Sequence, residues 1–398
     1  MFAWLKKLLR KCINISLNPP GSLRGIPISL YIHTPWCVRK CPYCDFNSHA
    51  LKGEIPERNY LEVLLKDWEL KRSALERRQL SSIFIGGGTP SLLSPQFYTD
   101  LFSEIKSDFS SDIEITLEAN PGTVEQARFE GFRLAGINRI SIGIQSFDPA
   151  QLKTLGRIHN SDDAKNAIMA AKNAGFNNIN IDLMHGLPNQ SLEEALQDLK
   201  IAFSFDTTHL SWYQLTLEPN TLFHRFPPRL PEDDVIAMMQ EKGRDLLSAH
   251  GFDQYEVSAY ARRQQYCRHN MNYWEFGDYI GIGAGAHGKI SSIKSGEIKR
   301  YSNVKHPTQY LMGGNLIQEE KNISREELPL EFMLNALRLY KPIPIALFTE
   351  RTGLSLKEIE KPLEKSIKEN LLTVTADHIT TTPLGKKFLN DLLENFLP

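Results

Sequence analysis

ISLYIHTPWCVRKCPYCDFN, residues 28–47, decides how this chain is read. It opens on an apolar run, Ile28 to His33, with the length and composition of a buried strand. Three cysteines follow at once, Cys37, Cys41 and Cys44, in the spacing C-x3-C-x2-C. Thiolates are the usual ligands of iron–sulfur clusters, and a [4Fe-4S] cube has four irons. Three cysteines therefore leave one iron open to a small molecule offering an amine and a carboxylate. Zinc is the competing reading. It normally wants four closed ligands, and His33 or His49 would complete the set. The chain has five cysteines, three of them within this stretch. An odd count so clustered is a poor disulfide framework and suits a metal or cluster site in a reducing compartment, which predicts a cytoplasmic protein.

Outward from this stretch, short β-rich runs recur with helical stretches between them. The predicted strands are ISLYIH near Leu30, SIFIGG near Phe84, IEITLEA near Thr116, RISIGIQ near Ile142, NINIDLM near Ile181 and LSWYQL near Tyr213. Most are rich in Ile and Leu, as strands buried on both faces are. The predicted helices between them run from Glu57 to Glu76, Thr123 to Ala135, Ser161 to Ala174 and Ser191 to Phe203, the last opened by a capping box of Ser191 and Glu194. Alternation at roughly 30-residue spacing implies βαβ units and a parallel sheet. Six units make an α/β fold of the TIM-like kind, a partial (β/α)6 barrel, with its chemistry at the C-terminal strand ends. From about Ser324 the style changes: helices over Glu327 to Tyr340 and Ser355 to Glu369, a small hairpin in LLTVTADHITTT, then a helix. That order predicts a mainly helical, winged-helix-like domain. DNA binding is the alternative for such a shape, but Lys and Glu are mixed along it and no basic face stands out.

The string Tyr31-Ile-His33-Thr-Pro35-Trp-Cys37 through Cys44-Asp-Phe46-Asn, at the end of a first barrel strand, resembles the radical-SAM signature, and within that superfamily the coproporphyrinogen-oxidase-like HemN/HemW group. The resemblance runs from about Ser29 to the end. It implies that the three cysteines bind a [4Fe-4S] cluster and that S-adenosylmethionine (SAM) occupies the open iron. One electron from the reduced cluster then cleaves SAM to a 5′-deoxyadenosyl radical. Tyr31 and Tyr43 fall at the cofactor pocket. Gly86-Gly87-Gly88-Thr89 follows the second strand, where glycines let the backbone approach a carboxylate closely. The bland reading of these glycines is a tight turn. Glu118, Gln145, Arg157 and Asp182 end or interrupt apolar runs, and all four match SAM-contact positions of the group. A charge buried there needs a partner, and internal pairing of Arg157 with Asp182 is the alternative.

Within this group the decarboxylating oxidases carry a further cysteine two positions after the third. Here that position is Phe46, which puts an oxidase activity in doubt. Few residues precede the first strand, where those oxidases carry an N-terminal region. Instead the chain has His269-Asn270-Met-Asn-Tyr273-Trp274, the HNxxYW motif of HemW proteins, which bind haem and are regarded as haem chaperones. Imidazole is a common haem ligand, and Tyr and Trp offer flat surfaces to a macrocycle. His269 is the candidate haem residue. Cys267 is a second axial candidate or an inert buried thiol, and His287, in Gly281-Ile-Gly283-Ala-Gly285-Ala-His287-Gly288, is a third or a loop residue. The resemblance implies a haem chaperone with an unknown acceptor protein. An oxygen-independent coproporphyrinogen III oxidase and a radical-SAM enzyme of other substrate stand as alternatives.

The bulk numbers agree with these readings. At 398 residues the chain exceeds one usual hydrophobic core. The expected divisions are a basic extension over 1–25, the barrel over 26–250, a connecting region over 251–322 that carries the HNxxYW motif, and the C-terminal domain over 323–398. Hydrophobic content is 41%, charged content 23% and net charge −1, which gives no support for broad nucleic-acid binding. No apolar run approaches the roughly 20 residues of a membrane span. The basic start, with Lys6, Lys7, Arg10 and Lys11, reads as a loose tail, a membrane-surface helix that would bring the chain to a membrane acceptor, or a transit peptide.

Overall fold

The computed structural model describes residues 25–123 and 125–398. The basic extension and its three readings lie outside the described residues. All six strands read from the sequence form: β1 (Ile28–Thr34), β2 (Leu80–Gly87), β3 (Phe109–Ala119), β4 (Arg139–Gln145), β5 (Ile179–His185) and β6 (His209–Gln214). Each pairs in parallel with the next. Beyond β6 the short β7 (Ala259–Ala261) runs antiparallel.

The region 251–322, expected to connect two units, instead extends the sheet on the other side of β1. There β8 (Asp278–Gly283) pairs parallel to β1, so the parallel set has one strand more than the sequence suggested. Antiparallel β9 (His287–Ser291), β10 (Ile298–Asn303) and β11 (Ile317–Asn322) follow. The order is β11-β10-β9-β8-β1-β2-β3-β4-β5-β6-β7, with Asp253–Gln254 at the far edge and no closing pair among the described residues, so the barrel they form is open. Glycine hides β8 from sequence reading because it is depleted in strands. The backbone spacing explains it: a Cβ on Gly281 would sit 1.9 Å from the His287 carbonyl, and one on Gly283 2.4 Å from that of His33.

The strands are buried on both sides, but the two faces differ. Side chains alternate with period two. Leu30, Ile32, Ile83, Ile85, Leu117 and Ile142 merge with Leu64, Trp68, Tyr98 and Phe132 of the helices in one apolar core. Each such side chain contributes on the order of 1.5–3 kcal/mol by leaving water. The opposite face is polar: Ser29 and Tyr31 of β1, Ser82 of β2, Glu114 and Glu118 of β3, Ser141 of β4, Asn180 and Asp182 of β5, His209 and Ser211 of β6. This inner face positions the site.

The helices follow the predicted spans within a turn. Glu57–Lys71 ends early and continues as a 3-10 turn over Arg72–Leu75, and Gln126–Leu134, Ser161–Asn173 and Leu192–Phe203 are as read. The capping box forms: the Glu194 amide donates to Ser191 Oγ at 3.2 Å, and the Ser191 amide to Glu194 Oε2 at 2.8 Å. The C-terminal unit holds helices Leu328–Ala336, Ile345–Thr352 and Glu360–Lys368 and the expected hairpin, Leu372–Val374 with His378–Thr381, which Ile343–Pro344 joins as a third strand. Its core of Phe332, Phe348, Ile359, Leu363 and Leu392 is separate from that of the barrel. Among the described residues no helix is long and apolar enough to cross a membrane.

Candidate functional site

The loop after β1 carries the cysteines to the C-terminal edge of the sheet. Register places His33 beside Gly86 and Thr34 beside Gly87, so the cysteine loop and the glycine loop meet. The Gly88 amide donates to the Thr34 carbonyl at 2.6 Å, and the Thr89 amide to that of Trp36 at 2.7 Å. A Cβ on Gly88 would lie 2.4 Å from the Trp36 carbonyl, and one on Gly87, whose φ is 108°, 2.5 Å from the His33 ring. The glycine run is thus more than a turn: it allows two loops to stack.

The three thiols face one cavity of about 320 Å³. Thr89 Oγ1 donates to Cys37 Sγ at 3.4 Å, Arg157 Nη1 to Cys41 Sγ at 3.7 Å, and Ser48 Oγ lies 3.6 Å from Cys44 Sγ. Burial pushes the Cys37 and Cys44 thiols up, so thiolates there need a cation. Among the described residues no three His, Cys, Asp or Glu side chains converge on one ion. His33, proposed as a zinc ligand, is spent on Tyr31 OH and the Asn47 carbonyl, both at 2.9 Å, and His49 Nε2 meets Asn47 Oδ1 at 3.2 Å. Three thiols around a cavity with no fourth protein ligand fit a cube with one open iron.

The remaining predicted cofactor residues gather around the same space, except Tyr31, which lines the neighbouring larger cavity instead because its side chain lies on β1 before the loop. Gly87, Gly88, Thr89, Tyr43, Glu118, Gln145, Arg157 and Asp182 line it, while Gly86 packs behind against Glu118. Glu118 accepts the Gly87 amide at 3.2 Å. Burial first, then the neighbouring Asp182, raise its carboxyl to about 8. Asp182 accepts Ser141 Oγ and Asn180 Nδ2 at 2.8 Å each, and burial raises it too. Arg157 donates to the Gly143 carbonyl at 2.6 Å and to Cys41, not to Asp182, so the internal pair does not form. Gln145 has φ 74° and is held by Tyr213 OH at 2.6 Å. A non-glycine residue in that region stores on the order of 1–3 kcal/mol, and such strain gathers at functional sites. Sequence reading missed Ser141, Ser211 and Tyr213, which also line the cavity. The signal was there as polar residues at period two inside apolar strands.

A second cavity of about 730 Å³ shares Phe46, Ser48, Gly87 and Glu118 with the first. Tyr31, Tyr273, Trp274 and Tyr279 form its aromatic wall, and His287 faces it. Phe46, 59% exposed, stands between the two cavities.

His269 lines neither cavity. It is 1% exposed, near the N-terminal ends of β1 and β2, with Nδ1 3.1 Å from Ser82 Oγ, Nε2 2.9 Å from Tyr273 OH, and its ring stacked on Phe84. Burial, then Arg139, lowers its pKa to about 3. From Ser82 to Gly87 is five strand residues, about 16 Å at ~3.3 Å each. Cys267 is buried beside Glu114, and its thiol is pushed up to about 12, mainly by burial, which makes it an inert thiol.

Comparison with known proteins agrees with this architecture. The radical SAM superfamily model matches residues 31–201, and the HemN C-terminal domain model matches residues 323–388. The heme chaperone HemW of Haemophilus influenzae is 52% identical over 93% of this chain and 98% of its own length. The chain belongs to the HemW family. The Escherichia coli HemW is 50% identical over the same shares. Among solved structures, coproporphyrinogen III oxidase (HemN) of E. coli, described as a radical SAM enzyme, superposes with a TM-score of 0.77 at 20% identity, covering 98% of this chain and 93% of its own. The chain thus shares the fold of that structure over nearly its whole length. As a radical SAM protein it takes SAM and a [4Fe-4S] cluster.

Proposed function

We propose that this protein is a haem chaperone that binds haem beside a SAM-bearing [4Fe-4S] cluster and delivers it to an acceptor protein. The observation that carries the reading is the 730 Å³ cavity, walled by aromatic rings, that opens directly onto the cluster cavity. Its size lies within the roughly 300–1,000 Å³ of small-molecule sites. Full-length identity to proteins named heme chaperone supports the cargo.

In this reading Cys37, Cys41 and Cys44 would hold the cluster. The glycine-loop amides and Glu118 would receive the methionyl end of SAM, while Asp182, Gln145, Arg157 and Tyr43 would surround the nucleoside. Glu118 and Asp182 are buried acids without a cationic partner in contact, and a ligand amine would supply one. When bound, the cluster supplies one-electron chemistry at its open iron. Phe46 leaves no further thiol between the cavities, which disfavours the oxidase alternative. The unpaired, half-buried thiol set suits the reducing cytoplasm, and the acceptor is either soluble there or at the membrane surface.

The test is an anaerobic haem titration of the cluster-reconstituted protein, followed by absorption. Saturation near one haem per chain, with no turnover of coproporphyrinogen III when SAM and a reductant are added, is expected. Turnover without haem binding would replace the reading with the oxidase.

A further inference from the structure

The larger cavity brings together several histidines, and they are not equivalent. His33 has both ring nitrogens engaged, and His49 bonds Asn47 and meets the His306 ring edge-on at 5.3 Å. His269, the motif residue, is outside the cavity with both nitrogens spent. His287, the first residue of β9, is exposed at the mouth of the cavity and faces it, and no described residue hydrogen-bonds its ring. The cavity walls, then Lys305 and Arg300, hold its pKa below the usual imidazole value. Neutral imidazole is the form that ligates a metal.

Its surroundings match a flat macrocycle with carboxylate arms. Tyr273 and Tyr279 meet edge-to-face at 4.4 Å, and Arg300 holds Tyr279 OH at 2.9 Å. Lys40 and Lys305 add two cations to the lining. The turn before His287 is clamped to the cysteine loop: Asn47 Nδ2 donates to the carbonyls of Ala284 at 2.9 Å and Lys305 at 2.8 Å. A Cβ on Gly285 would collide with that side chain. Asn47 lies three residues after Cys44, so one side chain ties the cluster loop to the turn that presents His287.

We infer that haem seats in this cavity with its iron on His287 and its carboxylates toward Lys40 and Lys305, and that His269 is a positioning residue for Tyr273. The inference rests on the haem-chaperone reading and names its site.

The experiment compares the cluster-reconstituted full chain with His287→Ala and His269→Ala, titrating each with ferric haem and with metal-free protoporphyrin IX. His287→Ala should weaken haem by about tenfold or more, lose the imidazole-ligated spectrum and regain it with free imidazole. Its affinity for the metal-free porphyrin should stay within about twofold. His269→Ala should weaken both porphyrins alike while the ligation spectrum persists. The assignment is overturned if His287→Ala keeps the wild-type spectrum and affinity, or loses both porphyrins equally. Wild-type protein that carries its cluster but binds no haem would remove the chaperone reading itself, an outcome distinct from the other two.

Discussion

The barrel interior has two polar ends, and they are built differently. At the N-terminal end most polar groups are closed on one another, buried Arg139 excepted. His269 bridges Ser82 and Tyr273, His209 bridges Asn180 at 2.6 Å and Tyr255 at 2.8 Å, and Glu114 accepts the Arg268 amide at 2.9 Å. At the C-terminal end the groups are held in place yet under-used: thiols with one weak donor each, an acid with one backbone amide, an imidazole with none. A buried polar group that has its partners is structure, and a buried acid that lacks them awaits a ligand; His287 is exposed and stands at the mouth of the same open end. The comparison explains why a motif histidine can sit in the closed end while a histidine from a glycine-rich turn faces the open one.

The largest effect that tests this division is loss of the cluster. Replacing Cys37, Cys41 or Cys44 by Ala should drop iron after reconstitution from about four per chain to near zero, with little change in the far-ultraviolet circular dichroism of the apo-protein. A large fold change instead would mean that the open end is structural as well.

The mirror experiment is at the closed end. His269→Ala leaves Tyr273 without its buried partner and Ser82 with Ser29 alone, opens a void against Phe84, and should cost about 2–4 kcal/mol in denaturant unfolding. Iron content should not change. If stability holds and the cluster is lost, the two ends are coupled and the division fails.

Glu118 gives a sharper reading. Its carboxyl is raised from 4.5 to about 8 by burial, then Asp182, so in the ligand-free protein it is mostly protonated at pH 7. SAM affinity should therefore rise as pH climbs from 7 toward 9. Glu118→Gln should lose about tenfold to a hundredfold in affinity, the worth of a charge-assisted hydrogen bond, and flatten that rise. Stability has the opposite sign. A raised acid contributes stability fully present below pH 4.5 and lost as pH passes through about 8. Glu118→Gln should then melt on the order of 2 °C higher than wild type at pH 8. A lower melting temperature would show that Glu118 already has a partner.

The smallest effect lies outside both ends. Ser191→Ala removes one cap bond of Leu192–Phe203 and should cost about 1 kcal/mol, with iron content and porphyrin binding unchanged.

Much of this was legible in local sequence. The six strands, their alternation with helices, the Ser191–Glu194 box and the cysteine spacing are short-range signals, and each appears where it was read. Strand β8 was not, because Gly281 and Gly283 answer to backbones close in space, those of His287 and His33. The polar interior was half visible: Glu118 and Asp182 stood out, whereas Ser82, Ser141 and Ser211 passed as incidental serines in apolar runs.

By itself the chain's order of residues picked out a cysteine ligand set, which strands pair in sequence and which acids interrupt them, since those follow from spacing and period. Only the tertiary structure decided which histidine is free. His269 and its partner Ser82 are 187 positions apart, and the Ala284–Ala286 turn before His287 is set by Asn47, 237 positions from Ala284. Availability of a ring nitrogen depends on what packs around it, and no local pattern carries that information.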